Sequence, residues 1–439
     1  MNLEPMRPTR VRRQSWLLAV LVALLSAAPA WAQTITGRID GRVTDSSGAV
    51  LPGATITIVN VGTGLTTTQV TDDNGTYTAT NLPVGAYTVS AEIEGFRRAQ
   101  RTGLQLSADG RLSADFTLGV GQLSESVQVQ AVTGEAVNRT SGEVARTIDQ
   151  QQIRDLAFNG RNYLELASLI PGAVATDFDP LALATSLSVT GQSINGNRTN
   201  TNNLTIDGTS NVDSGSNGSQ VNNVSLSFID EVKLQTSNFS AELGRASGAA
   251  INVVTRSGTN SLKGTARYDL RDEKFDAPNY FAAKDAAGNK IKPPLDFRNF
   301  EGAIGGPISR NKLFFFLGQQ YRTINRYTSP TRQTIPTSAE LNGNFALRLR
   351  GADGQVGTAD DTILRDPATG QPFPGNVIPQ NRITTDGRAI ANIYRSMAGE
   401  AVEYADTPTA NNATYQLYNP FESRQDIVRI DFQATASSR

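Results

Sequence analysis

The 439-residue chain contains no histidine and no cysteine. Without cysteine there is no thiolate nucleophile, no disulfide and no thiolate-ligated zinc or iron–sulfur site. Without histidine there is no Ser-His-Asp triad, no imidazole base and no His-metal cage. A surplus of either charge is also missing, since 40 Lys and Arg face 41 Asp and Glu for a formal net charge of −1. No nucleic-acid partner is expected, because such binding rests on a basic surplus that displaces counterions. Carboxylate chemistry, a Ser-Lys pair and oxygen-ligated Ca²⁺ or Mg²⁺ stay open, yet no apolar-embedded Asp/Glu pair offers itself as a glycosidase site. No catalytic residue, cofactor or metal is therefore expected. What the chain does have is glycine, 39 residues of it, within a 38% hydrophobic composition. That mixture suits polar, turn-rich β structure, and the length suits about three domains of ~150 residues.

The front of the chain carries Arg7, Arg10, Arg12 and Arg13, an apolar run over residues 16–25, and Ala30-Trp31-Ala32. A basic region, a short apolar run and a small-x-small site make residues 1–32 a cleavable secretory signal peptide. The run is shorter than the ~20 residues of a membrane-spanning helix, and no later stretch is long and apolar enough to be one.

Residues 33–120 read as short strands divided by turns. In residues 54–59, Ala54, Ile56 and Ile58 alternate with Thr55 and Thr57, the period of a half-buried strand. Asp73-Asn74-Gly75 lies between Gln69-Val70-Thr71 and Tyr77-Thr78-Ala79 and predicts a hairpin. Strands at this spacing indicate a β-sandwich. Gly41-Arg42-Val43-Thr44-Asp45, Leu51-Pro52-Gly53-Ala54, the 71–77 turn, Leu82-Pro83-Val84-Gly85-Ala86-Tyr87 and Gly95-Phe96 together resemble the carboxypeptidase regulatory-like domain. The resemblance implies an accessory transthyretin-like sandwich without catalytic residues. Asp72, Asp73 and Asn74 are read as a turn, since they lack the ligand spacing of a Ca²⁺ loop.

Residues 121–135 form a linker. Within it Glu125, Ser126, Val127, Gln128, Val129, Gln130 and Ala131 make a short polar strand with Val127, Val129 and Ala131 on one face. Its edge is open to a partner's strand or to pairing inside its own domain. Residues 136–258 mix helix and strand. Asp149 is a helix N-cap, Leu164, Ala167 and Ile170 form a stripe, and residues 204–208 and 231–235 are strands. Asn195-Gly196-Asn197-Arg198, Leu204 to Gly208, residues 229–232 and the glycine-rich run from Gly244 to Arg256 resemble the plug domain of TonB-dependent outer-membrane receptors. On that resemblance residues 125–131 occupy the place of the TonB box, and Asn195, Asn197, Arg198 and Asp207 are candidates to face the lumen and its ligand.

From residue 259 onward the pattern is that of barrel strands. Leu262, Gly264, Ala266, Tyr268 and Leu270 alternate with Lys263, Thr265, Arg267, Asp269 and Arg271. Val428, Ile430, Phe432 and Ala434 alternate with Arg429, Asp431 and Gln433. Lipid outside and water inside demand this period, although a soluble sheet with one wet face shares it. Phe300, Gly302, Ile304 and Ile308 suggest another strand, and residues 313–317 a further one whose phenylalanines are placed in an aromatic girdle. A tight turn at residues 309–312 and long connections over 272–297 and 323–423 have the inside–outside parity of a barrel. Residues 353–361 are read as a solvated turn. Only four such strands are visible in the 181 residues after position 258, so the chain is expected to end early in a larger barrel.

The expectation is a mainly β protein: signal peptide, small β-sandwich, α+β plug, and the first strands of a transmembrane β-barrel. The resemblance is to the Oar-like subgroup of TonB-dependent receptors. It implies an outer-membrane importer, no catalysis, and as partners TonB with its inner-membrane motor proteins, the lipid bilayer and an extracellular oligosaccharide, peptide or metal chelate. A secreted or surface carbohydrate-binding protein built on the sandwich is the alternative.

Overall fold

In the computed structural model the described residues are 36–121, 126–130 (backbone), 142–158, 160–176, 191–239, 243–282, 284, 288–328, 330–351, 354–359, 361–401 and 403–433. The signal-peptide assignment for residues 1–32 lies outside them, as do Glu125 and Ala131. Two compact units are present: residues up to Thr265 with Gly302–Gln319 and Gln425 onward, and Ala266–Glu301 with Gln320–Arg424.

The first unit opens with a sandwich. Its strands are β1 (Thr36–Asp45), β2 (Thr55–Asn60), β3 (Thr66–Val70), β4 (Thr76–Pro83), β5 (Gly85–Glu92), β6 (Arg98–Leu106), β7 (Arg111–Ser113), β8 (Phe116–Leu118) and β9 (Ser126–Gln130). One sheet has the order β4-β1-β7 with β8 also on β1; the other is β3-β2-β5-β6-β9. Ala54, Ile56 and Ile58, expected on one face, are fully buried there with Ile39, Val43, Tyr87 and Val89 between the layers.

The expected hairpin at Asp73-Asn74-Gly75 is not one. β3 pairs with β2, whereas β4 pairs with β1 in the opposite sheet. Asp72 explains the corner. Its carboxylate accepts from Asn74 N at 2.9 Å, Thr76 N at 2.8 Å and Thr76 Oγ1 at 2.7 Å. The chain thereby turns on a side chain, and each flanking strand pairs on a different layer.

A mixed sheet follows in the same unit. Its strands are β10 (Val144–Asp149), β13 (Asn203–Ile206), β14 (Thr209–Ser210), β15 (Ile229–Ser237) and β16 (Ala250–Thr255), in the order β10-β15-β16-β13-β14; β11 (Ala173–Ala175) pairs separately with β12 (Gln192–Ile194). Asp149 caps the helix Gln150–Asp155 by accepting from Gln152 N, and Asn162 caps the 3₁₀ turn Tyr163–Leu169. These caps satisfy backbone donors that helix starts leave open. They set Ile153, Leu164 and Ala167 into a core with Val232, Leu234, Ile251 and Val253.

Four further strands run β17 (Lys263–Asp272), β18 (Leu295–Ser309), β19 (Leu313–Arg326) and β23 (Phe421–Phe432) as an open meander, β17-β18-β19-β23. Leu262, Tyr268, Leu270, Ile304, Ile308, Val428, Ile430 and Phe432 are exposed on the face predicted for lipid. Residues 309–312 make the tight turn, with Asn311 at φ +63° and Lys312 N donating to Ser309 O.

The girdle expectation fails for Phe314 and Phe316. Both are buried. Strand period 2 turns Leu313, Phe315 and Leu317 one way and these two the other, where Phe316 meets Phe228 edge-on at 6.4 Å.

In the second unit, the long connection before β23 is folded. It contains β20 (Thr331–Gln333), β21 (Glu403–Tyr404) and β22 (Ala413–Tyr415) in the order β20-β22-β21, and the helices Ser338–Leu341 and Thr385–Glu400 capped by Thr337 and Thr384. Asn412 fastens it, donating to Ile335 O at 3.0 Å and accepting from Ile335 N at 2.9 Å. Polar side chains thus organise a segment whose composition reads only as loop. Of the turn expected at 353–361, Asp353 and Asp360 lie outside the described residues.

Candidate functional site: the segment 126–130 and the face that holds β16

The strand expected at residues 125–131 is present over Ser126–Gln130 as β9. It pairs in parallel with β6, from Arg98 opposite Ser126 to Thr102 opposite Gln130, and ends its sheet. Of the two fates left open by its alternation, pairing inside its own domain is the one adopted. Among the described residues it is the last strand of its sheet, with one edge unpaired.

The four lumen-facing candidates have separate duties. Asn195, at φ +54°, donates through Nδ2 to Thr236 O at 3.0 Å, and Asn197 Nδ2 donates to Ser247 O at 2.9 Å. Both pin one chain segment to another. Arg198 is exposed at the start of the turn Thr199–Thr201. Asp207 stands after β13 at φ +48° and accepts from Thr255 N at 2.9 Å and Thr255 Oγ1 at 2.5 Å.

Asp207 leads to residues that the sequence did not single out. Arg429, on the charged face of β23, donates through Nη1 to Asp207 Oδ1 at 3.3 Å, Thr255 O at 2.9 Å and Thr255 Oγ1 at 2.8 Å. Its Nε contacts Asp431 at 3.1 Å. Four residues before Arg429 on β23, Gln425 accepts from Ser225 N at 2.7 Å and donates to Asn223 O. Arg256 lies over the Phe316 ring, 5.2 Å from its centroid. Burial lowers the Arg256 guanidinium below its usual value, opposed by the charge of Asp230.

Gly318 on β19 supplies the room: a Cβ there would stand 2.5 Å from Phe228 Cε1. The inner face of β19 and β23 is therefore fitted to the chain between Asn223 and Arg256. The alternation of Arg429 and Asp431 marked a wet face; which backbone they would hold was not in it.

In the second unit the inner face is also polar. Gln320 Nε2 donates to Asn299 Oδ1 at 2.9 Å and Glu301 Oε1 at 2.7 Å, and Asn299 Nδ2 donates to Asp269 Oδ2 at 3.0 Å. Asn299, Glu301, Gln320 and Arg322 are all buried. Such a cross-strand network needs a water-side face, and hydrocarbon could not supply it. Among the described residues no group of acidic side chains is arranged to hold a metal ion.

Comparison with known proteins agrees with this division into layers. Residues 254–439 match the outer membrane beta barrel domain, and residues 38–119 match the carboxypeptidase regulatory-like domain. A curated relative, the TonB-dependent transporter Oar of Myxococcus xanthus, is 28% identical over 341 residues. This chain is similar to a TonB-dependent transporter. The match covers 73% of the chain and 30% of Oar, so the chain spans about a third of the length of that relative. Among solved structures, the outer membrane transporter YddB from Escherichia coli is 16% identical, with 44% of this chain and 27% of that chain covered at a TM-score of 0.32. A streptococcal ancillary pilin is 18% identical, with 20% and 33% covered at a TM-score of 0.17. The chain is an outer-membrane protein, mainly β, with a regulatory-like sandwich ahead of its barrel strands.

Proposed function

We propose that this chain is a TonB-dependent importer that takes an extracellular ligand across the outer membrane and has no catalytic role. In this reading residues 136–258 are the plug, 259–439 begin the barrel, and 125–131 are the strand offered to TonB. The observation that carries it is the Arg429 contact set. A charge on the inner face of a barrel strand that grips the backbone of the preceding mixed domain is what a seated plug requires. β9 supports the other half, because a strand with one unpaired edge can accept a second strand by β-augmentation. Asn195, Asn197 and Arg198 are then plug residues available to the ligand pathway, while Asp207 belongs to the seat. The ligand class stays among oligosaccharide, peptide and metal chelate.

Binding of the periplasmic domain of TonB to the intact protein in detergent tests this reading. Wild type should bind, and the double variant Val127→Pro/Val129→Pro, which removes two strand donors, should lose most of that binding. Equal binding by both proteins would reject residues 125–131 as the contact. No binding by wild type would reject the importer reading.

A further inference from the structure

β15 has no face turned to water. Val232 and Leu234 point into the apolar core, each 1% exposed, while Glu231, Lys233 and Gln235 alternate with them and are 4%, 2% and 1% exposed. Asn252, opposite Lys233 on β16, is 1% exposed. Buried charges and amides need partners, or they cost several kcal/mol each.

The partners come largely from the sandwich. Between β6 and β7, residues 107–110 form a turn closed by Gly110 N donating to Ser107 O, with Asp109 at φ +48°. Ala108 N donates to Glu231 Oε1 at 2.5 Å, Lys233 Nζ donates to Asp109 O at 3.3 Å, and Asn252 Nδ2 donates to Asp109 Oδ2 at 3.1 Å. Glu143 completes the cover, taking Lys233 Nζ at 3.2 Å and Gln235 Nε2 at 2.9 Å. Ala108 itself is fully buried. A turn that places a main-chain donor, a main-chain acceptor and a carboxylate onto three buried polar residues is a fitted contact.

We propose that the 107–110 turn is a latch that seats the sandwich on the polar face of the β15–β16 sheet, so that this end of the sandwich recognises its own chain and not an external ligand. The latch does not depend on the importer reading. If that reading holds, the latch has a mechanical consequence: β6 carries β9 along its edge and runs directly into the turn. Tension on β9 therefore loads β6 and then the latch.

The latch is graded by pH. Burial pushes the Glu231 carboxyl up to about 7; the Ala108 N–H opposes this, the charges of Asp230 and Asp109 add to it, and Lys233 opposes it. Asp149 stands across the ladder from Glu231, and Glu143 holds the neighbouring Lys233. Unlatching returns Glu231 to water and to its ordinary carboxylate value. The latched state thus holds a proton that the open state releases. Seating is firmest on the acid side and weakens as pH rises from the ordinary carboxylate range through about 7.

The chain lacks cysteine, so spin labels at Thr68→Cys on the sandwich and Ser214→Cys beyond β14, both exposed, can be placed in the intact protein. Electron–electron resonance should give one narrow distance at pH 5.5. At pH 8 the open fraction should be larger, by up to roughly thirtyfold in the open-to-latched ratio. In Glu231→Gln the ratio should not change with pH. A broad distribution at pH 5.5 in the otherwise wild-type protein would overturn the latch. A pH response of Glu231→Gln equal to wild type would overturn the role of Glu231.

Discussion

Arg429 on the last described barrel strand reaches Thr255 O at 2.9 Å and Asp207 Oδ1 at 3.3 Å. One guanidinium thus joins positions more than 170 residues apart, using donors in a fixed fork that a lysine ammonium cannot reproduce. With the arginine side chain 20% exposed, the contact is only partly screened by water. Arg429→Ala should weaken the seat of β16 by about 1–3 kcal/mol. Hydrogen exchange of residues 203–206 and 250–255 should speed up accordingly, and Arg429→Lys should recover only part of the protection. Unchanged exchange in both variants would show that Arg429 is not a fastener.

Packing around Phe228 gives a second test. Gly318→Val places atoms where the Phe228 ring lies, at a Cβ separation of 2.5 Å. Overpacking of this kind costs about 1–3 kcal/mol, read as a lower melting temperature of the intact protein. Adding Phe228→Leu should restore part of the loss, so that the two effects are not additive.

The sandwich should lose stability in alkali while its buried phenol resists ionisation. Burial raises the Tyr77 phenol well above its ordinary value, aided by the charge of Asp115, and its hydroxyl donates to Ala114 O at 2.7 Å. A group whose folded value is raised contributes fully below its unfolded value and loses that contribution as pH climbs toward the folded one. Absorbance titration should therefore find a Tyr77 step that appears only as the sandwich unfolds. Tyr77→Phe should remove that step and destabilise the sandwich by about 0.5–1.5 kcal/mol.

The inter-sheet corner should fail in acid. Hydrogen bonds, that from Thr76 Oγ1 first, lower the Asp72 carboxyl below its ordinary 3.8. Its contribution is complete above the ordinary carboxylate range and is lost as pH falls through the lowered value. Asp72→Ala should melt below wild type at pH 7, and the gap should close as pH drops to about 2. A gap independent of pH would assign the effect to the lost turn geometry rather than to the charge.

Residue alternation was enough to identify Leu262 to Arg271 and Val428 to Gln433 as strands with one apolar and one polar face, connection lengths favoured a barrel, and the burial of Ala54, Ile56 and Ile58 followed from the same alternation. The cap at Asp149 was legible because capping depends on neighbours three residues away; that at Asn162 came from the structure. Local rules of this reach read well from one chain. The 69–79 corner misled because Asp-Asn-Gly suits a hairpin and a sheet-to-sheet turn alike. The phenylalanines at 314 and 316 misled because an aromatic run has no polar member to mark its inner face.

The amino-acid order by itself determined the layers: a small sandwich, a mixed domain and strands with one greasy and one wet face. Those follow from periods of two and from turn chemistry, which act between residues a few positions apart. Only the tertiary structure decided that Arg429 closes on Asp207 and Thr255, that β9 lies on β6, and that Glu231 and Lys233 are covered by the 107–110 turn. Each of those pairings joins distant segments through complementary charge or backbone donors, and many charged residues on the wet faces have the right chemistry. Burial in three dimensions selects among them, because there an unmatched polar group is costly.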